Sequence, residues 1–282
     1  DLHSFPTRRS SDLVGVSITK LFMIGLMPGI MIGLALCIVW FFIVRHDGYN
    51  ETIKFSAREA VRIVIDCTPA FLMPVLLLGG IRCGFFTPTE GGAFAAVYAI
   101  LVCVFYYREL NLRELLRVSA RAARTTSVVM LIVATATAVG WFITIARIPD
   151  QVTQLFTPLI DKPILLLLCI NVFLFLIGMV MDLTPNVLIF APVFYPLIQQ
   201  AGINEYYFGL LFILNLGIGV ITPPVGTVLY VVCSVGNIKF TDLVVKLIPF
   251  LLVEIGMLFL LLFFPKLSIV PMNWLISPLK KG

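Results

Sequence analysis

The chain predicts an all-α, polytopic membrane protein carrying a re-entrant hairpin and a proline-broken helix. Three observations lead there. Of its 282 residues 60% are hydrophobic and only 12% charged. The apolar residues recur in blocks of about 15 to 25, which match a bilayer hydrocarbon core of roughly 30 Å. Late in the chain, residues 217–226 read GIGVITPPVG, a double proline bracketed by glycines that interrupts an apolar helix.

Taken in order, the spans fall at 21–44, 67–81, 92–107 and 127–146. Two apolar arms follow at 163–181 and 186–200, then a broken element at 207–236 and a final span at 246–264. At 1.5 Å per residue the second arm reaches only about 22 Å, short of a full crossing. That shortness favours a hairpin over 163–200 that re-enters the membrane, although two full crossings would return the chain to the same side.

Loop charges orient these spans. With the first span ending in the cytoplasm, eleven Lys and Arg fall inside and six outside, in accord with the positive-inside rule. The net charge of +5 therefore reports orientation and gives no reason to expect nucleic acid. Six scattered cysteines, with no C-x-x-C pair, read as small packing residues. His46, between Arg45 and Asp47, reads as a solvated loop histidine.

Residues 1–16 are set aside as non-native or disordered. The stretch DLHSFPTRRSSDL has no initiator methionine, apolar signal core or amphipathic period, and it resembles translated sequencing-adapter read-through. A truncated gene product is the expectation, and His3, Arg8 and Arg9 carry no functional weight.

Two basic segments stand out. Arg113, Arg117, Arg121 and Arg124 recur at helical spacing among leucines, which predicts a helix lying along the interface. Lys54, Arg58 and Arg62 repeat the four-residue spacing before the second span. Both are either solvated topology signals or arms that join a fixed part to a moving part.

Candidate chemistry lies at the hairpin tip and the break. The tip, GMVMDLTPN at 178–186, sets Gly178, Asp182, Thr184 and Pro185 between apolar arms. Asp182 either serves a binding function or caps the second arm, and the two roles are compatible. At the break, Pro223 and Pro224 remove the amides that the carbonyls of Gly219 and Val220 would accept from, so both oxygens are expected without partners. Asn215, Gly219 and Thr222 share the helical face that ends there, and Gly226 is free to restart the helix. The alternative is a proline kink packed by neighbours. Free carbonyls suit a hard cation such as Na⁺, and the amide end of a half-helix suits an anion. Glu90 reads as a helix cap or a partner of Arg82, while Glu254, inside the last span, serves either a subunit interface or transport.

Four segments in this order, SITKLFMIGLMPG, GGIRCGFFTPTEGGAFAAVYA, GMVMDLTPN and GIGVITPPVG, resemble the large membrane subunit of the tripartite ATP-independent periplasmic (TRAP) transporters. The likeness runs from about residue 17 onward, with Gly91 where that family usually has alanine. It implies a Na⁺-driven, elevator-type importer of organic acids such as C4-dicarboxylates or sialic-acid-like anions. Two inverted repeats would each supply a hairpin and a broken helix. The implied partners are a small TRAP membrane subunit, a periplasmic solute-binding protein and the lipid bilayer of the bacterial inner membrane.

On that resemblance, 17–65 closes a first repeat with one span and an amphipathic arm, 66–264 is the second repeat, and 265–282 is a tail. The chain would be the C-terminal portion of the subunit. Gly219, Val220 and Thr222 are the expected Na⁺ ligands, beside Asp182 to Pro185. No other cofactor is expected. A non-transporting membrane scaffold or partner subunit, and another ion-coupled anion transporter of the same superfamily, are the alternatives. An enzyme is disfavoured, because the sequence contains no H-E-x-x-H, G-x-S-x-G or clustered aspartates.

Overall fold

The computed structural model describes residues 18–46 and 56–276, and these are helical with short connections. The segment 1–16, Lys54 and the side chains of His46, Arg58 and Arg82 lie outside what is described. Eleven α-helices run in order: α1 (Ile18–His46), α2 (Ala57–Arg82), α3 (Pro88–Leu101), α4 (Leu112–Ile145), α5 (Ile148–Phe156), α6 (Pro163–Gly178), α7 (Leu183–Gln200), α8 (Glu205–Val220), α9 (Thr227–Gly236), α10 (Phe240–Phe263) and α11 (Lys266–Ile276). Among the described residues five helical stretches are long and apolar enough to cross a membrane: Lys20–Arg45, Val61–Ile81, Thr89–Tyr106, Leu112–Ile143 and Phe240–Phe263. Large apolar side chains such as Phe41, Phe71 and Phe142 stand exposed along them. Water would penalise that surface and a bilayer solvates it. The chain is a multi-pass membrane protein, all-helical among the described residues.

Contacts divide the chain into two units. One comprises the described residues of Arg45–Val128. There Thr87 caps α3, with Pro88 at its first position. Glu90 closes a capping box by accepting from the Thr87 amide at 2.7 Å, so the cap reading of Glu90 holds. Tyr98 and Tyr107 donate from their hydroxyls to the carbonyls of Pro69 and Asp66 at 2.9 and 2.6 Å, tying α3 and the π-helical turn Val102–Tyr106 that extends it to α2.

The other unit takes the described residues of Asp1–Val44 and Val129–Gly282. Its core is built where α6 meets α8, flanked by α7 and α10. Leu166, Ile170 and Leu174 of α6, Leu197 and Ile198 of α7, Leu211 and Leu216 of α8, and Leu261 and Leu262 of α10 are all essentially inaccessible. Helix α1 joins this core through Ile24, and Leu21 packs at Gly209 of α8.

Several expectations are corrected here. The arginine segment is not a separate interfacial helix, because residues 112–145 form one unbroken helix with good formers and no proline. The second basic segment likewise runs into its span from Ala57. The final span starts at Phe240, earlier than expected. Helix α7 starts at Leu183, so its 18 residues measure about 27 Å and the length argument for a hairpin weakens. The short arm is instead α6, with 16 residues. Two helices were not anticipated. The amphipathic α5 packs on α7, and α11 lies within what was read as a tail.

Candidate functional site

The two candidate segments meet through backbone, which is why glycine occupies both sides. A Cβ built on Gly219 would lie 2.8 Å from both the Cα and the carbonyl carbon of Gly178. No side chain fits there. Helices α6 and α8 therefore touch directly at the end of each, and the tip that follows α6 is brought beside the break that follows α8. The Gly226 amide then donates to the Met179 carbonyl at 3.3 Å, a bond from the break to the tip.

One to two turns back along the same interface lies a polar pair. Asn215 Nδ2 donates to both the backbone oxygen and Oδ1 of Asn171 at 2.7 Å, and Asn171 Nδ2 donates to the Leu167 carbonyl at 2.8 Å. Both residues are buried, and Asn215 Oδ1 has no hydrogen-bond donor. A cleft of about 160 Å³ opens beside the pair, walled by Phe175, Leu176, Leu258 and Phe259.

At the break itself the last turn of α8 tightens. Ile221 N donates to Ile218 O at 3.3 Å and Thr222 N to Gly219 O at 2.9 Å, both three-residue bonds of the kind that close helix ends. This corrects the expectation that Gly219 O is left without a partner: the Thr222 amide replaces the one that Pro223 lacks. For Val220 the expectation holds, since among the described residues no donor reaches its oxygen. Thr222 is buried and donates its hydroxyl to Ile218 O at 2.6 Å. Its proton is thereby committed, and both Oγ1 lone pairs remain available to an electrophile. Gly226, at φ +52°, restarts the chain as the N-cap of α9, where a side chain would meet Leu229 and the Thr222 carbonyl. The Pro223–Pro224 peptide is cis.

The tip residues are placed less deeply. Asp182 is exposed and caps α7, its carboxylate accepting from the Leu183 amide at 2.9 Å. Thr184 and Pro185 are half-buried, as is Pro223, and Pro224 is exposed. Sequence reasoning missed Asn171 and Asn186. Asn186 is fully buried, donates to the Met181 carbonyl at 3.2 Å and keeps an unpartnered Oδ1. Its signal was present, an amide closing the GMVMDLTPN motif, and so was that of Asn171, a lone polar residue inside an apolar arm. Among the described residues no three His, Cys, Asp or Glu gather as a metal site. Glu254 sits half-buried in α10.

A broken helix packed against a polar tip, within a multi-pass helical membrane protein, is an arrangement that transporter folds use to set polar groups inside the bilayer. The model of the DctM component of tripartite ATP-independent periplasmic transporters matches residues 10–267, and the chain belongs to that family. It is 44% identical over 93% of its length to the 2,3-diketo-L-gulonate TRAP transporter large permease protein YiaN of Escherichia coli, covering 61% of that protein. It is 34% identical to the sialic acid TRAP transporter large permease protein SiaM of Vibrio cholerae, with 90% of this chain and 60% of that one aligned. The C4-dicarboxylate TRAP transporter large permease protein DctM of Pseudomonas aeruginosa is 33% identical, with 92% and 61% covered. The chain thus spans about three fifths of the length of the curated relatives it matches.

Proposed function

We propose that this chain carries one of two half-sites in a Na⁺-coupled importer of organic anions. It works in the bacterial inner membrane with a small membrane subunit and a periplasmic binding protein. The observation that carries the reading is the Val220 carbonyl. Pro224 removes its helical donor, no donor among the described residues replaces it, and the Thr222 hydroxyl oxygen two residues on has free lone pairs. Gly219 O, with one lone pair still open, and groups of the 182–185 tip complete a set of oxygens of the kind that holds Na⁺ at discontinuous helices. The amide end of α9 would face the substrate carboxylate.

The segment 163–200 is, on this reading, a re-entrant hairpin, and 66–264 the second of two inverted repeats. The named relatives handle a diketogulonate, a sialic acid and C4-dicarboxylates, all carboxylic acids, which supports an organic anion as substrate.

The test is Na⁺-dependent uptake in proteoliposomes holding the complete permease, its small subunit and its binding protein. Substituting Thr222→Val with Pro224→Ala removes the hydroxyl and returns an amide to Val220 O. Loss of Na⁺ coupling is expected. Unchanged coupling overturns the assignment.

A further inference from the structure

We propose that the arginine face at the start of α4 is a binding site for anionic phospholipid headgroups. The argument starts from length. Residues 125–145 of α4 carry no charge and measure about 31 Å at 1.5 Å per residue, enough alone to cross a core of roughly 30 Å. Arg124 then sits at the hydrocarbon boundary, and Arg121, Arg117 and Arg113 follow outward over about 16 Å of the same unbroken helix. At 100° per residue the four occupy an arc of about 80°, so they form one stripe.

All four arginines are exposed, and among the described residues none of them is seen in an ion pair. The single carboxylate on α4, Glu114, accepts from the Asn111 amide at its own helix start. Leu112 and Leu116 are exposed alongside the stripe. Positive charge with no acidic partner among the described residues, directly continuous with a membrane span and flanked by leucine, matches a lipid phosphate in charge and position. Arginine adds a planar fork that grips two phosphate oxygens together.

The full chain, purified in detergent with equal phosphatidylglycerol and phosphatidylcholine, is examined by native mass spectrometry for retained lipid. Enrichment of phosphatidylglycerol is expected. Each basic residue near an anionic surface contributes roughly fivefold, so R113Q/R117Q/R121Q/R124Q should lower that enrichment at least about tenfold. The matching Arg→Lys variant should lower it less. Should the glutamine variant not fold, wild-type enrichment is followed from about 50 to about 500 mM salt and is expected to fall. Equal retention of both lipids, a glutamine variant that binds like wild type, or salt-independent enrichment would each overturn the proposal. So would displacement by inorganic phosphate alone, which would identify a simple anion site.

Discussion

Gly219 of α8 rests on the backbone of Gly178 of α6, so closely that a methyl group on Gly219 would stand 2.8 Å from two atoms of the opposing main chain. Backbone cannot move aside as a flexible side chain can. Gly219→Ala is therefore expected to push the two helices apart and destabilise the permease by about 1–3 kcal/mol. Gly217→Ala is the control, because a Cβ there meets nothing within 4 Å. Thermal unfolding in detergent should lower the midpoint for the first variant and leave the second near wild type.

The Asn171–Asn215 pair shares this interface. Replacing Asn215 by leucine strands the buried Asn171 Oδ1 without its 2.7 Å donor, at a cost of about 1–3 kcal/mol. Replacing both by leucine removes the stranded acceptor as well. The double variant should lose less than the sum of the single ones, and a double-mutant cycle on unfolding midpoints measures the coupling. Additive losses would mean that the two amides act independently.

Asp182 tests capping against charge. Its oxygen accepts from the Leu183 amide, a role asparagine can also fill. Asp182→Asn should keep stability and Na⁺-coupled uptake near wild type, whereas Asp182→Ala should cost about 0.5–2 kcal/mol. Loss of uptake in the asparagine variant with stability retained would assign the negative charge itself to transport.

How much of this was legible beforehand depends on the range over which each signal acts. The spans and the break at Pro223 and Pro224 were readable, because bilayer thickness and proline stereochemistry act within a few residues. Helix continuity was not. Polar arginines looked like a boundary at 124, yet helix propensity crosses that boundary without interruption. The fate of Gly219 O escaped because counting four residues back ignores the three-residue bond through which Thr222 rescues it. The buried amides of Asn171 and Asn186 were visible as letters, but their depth comes from neighbours far along the chain.

Two of the oxygens that prolines orphan in this unit, at Leu261 and Val220, are treated differently. Leu261 O would accept from residue 265, which is proline, and the Tyr207 hydroxyl of α8 supplies the missing donor at 2.9 Å while also reaching Leu262 O at 2.9 Å. Val220 O, orphaned in the same way by Pro224, receives no such donor among the described residues. A structural orphan is repaired and the candidate ion ligand is left open. Tyr207→Phe should accordingly destabilise the permease by about 0.5–1.5 kcal/mol through the end of α10, lowering the unfolding midpoint. Its apparent Na⁺ affinity in uptake should stay within about twofold of wild type, because a hydroxyl that closes one helix end makes no contact with the break. A large shift in Na⁺ affinity with stability unchanged would show that the two orphaned oxygens are coupled, and that the repair at Leu261 belongs to the transport machinery.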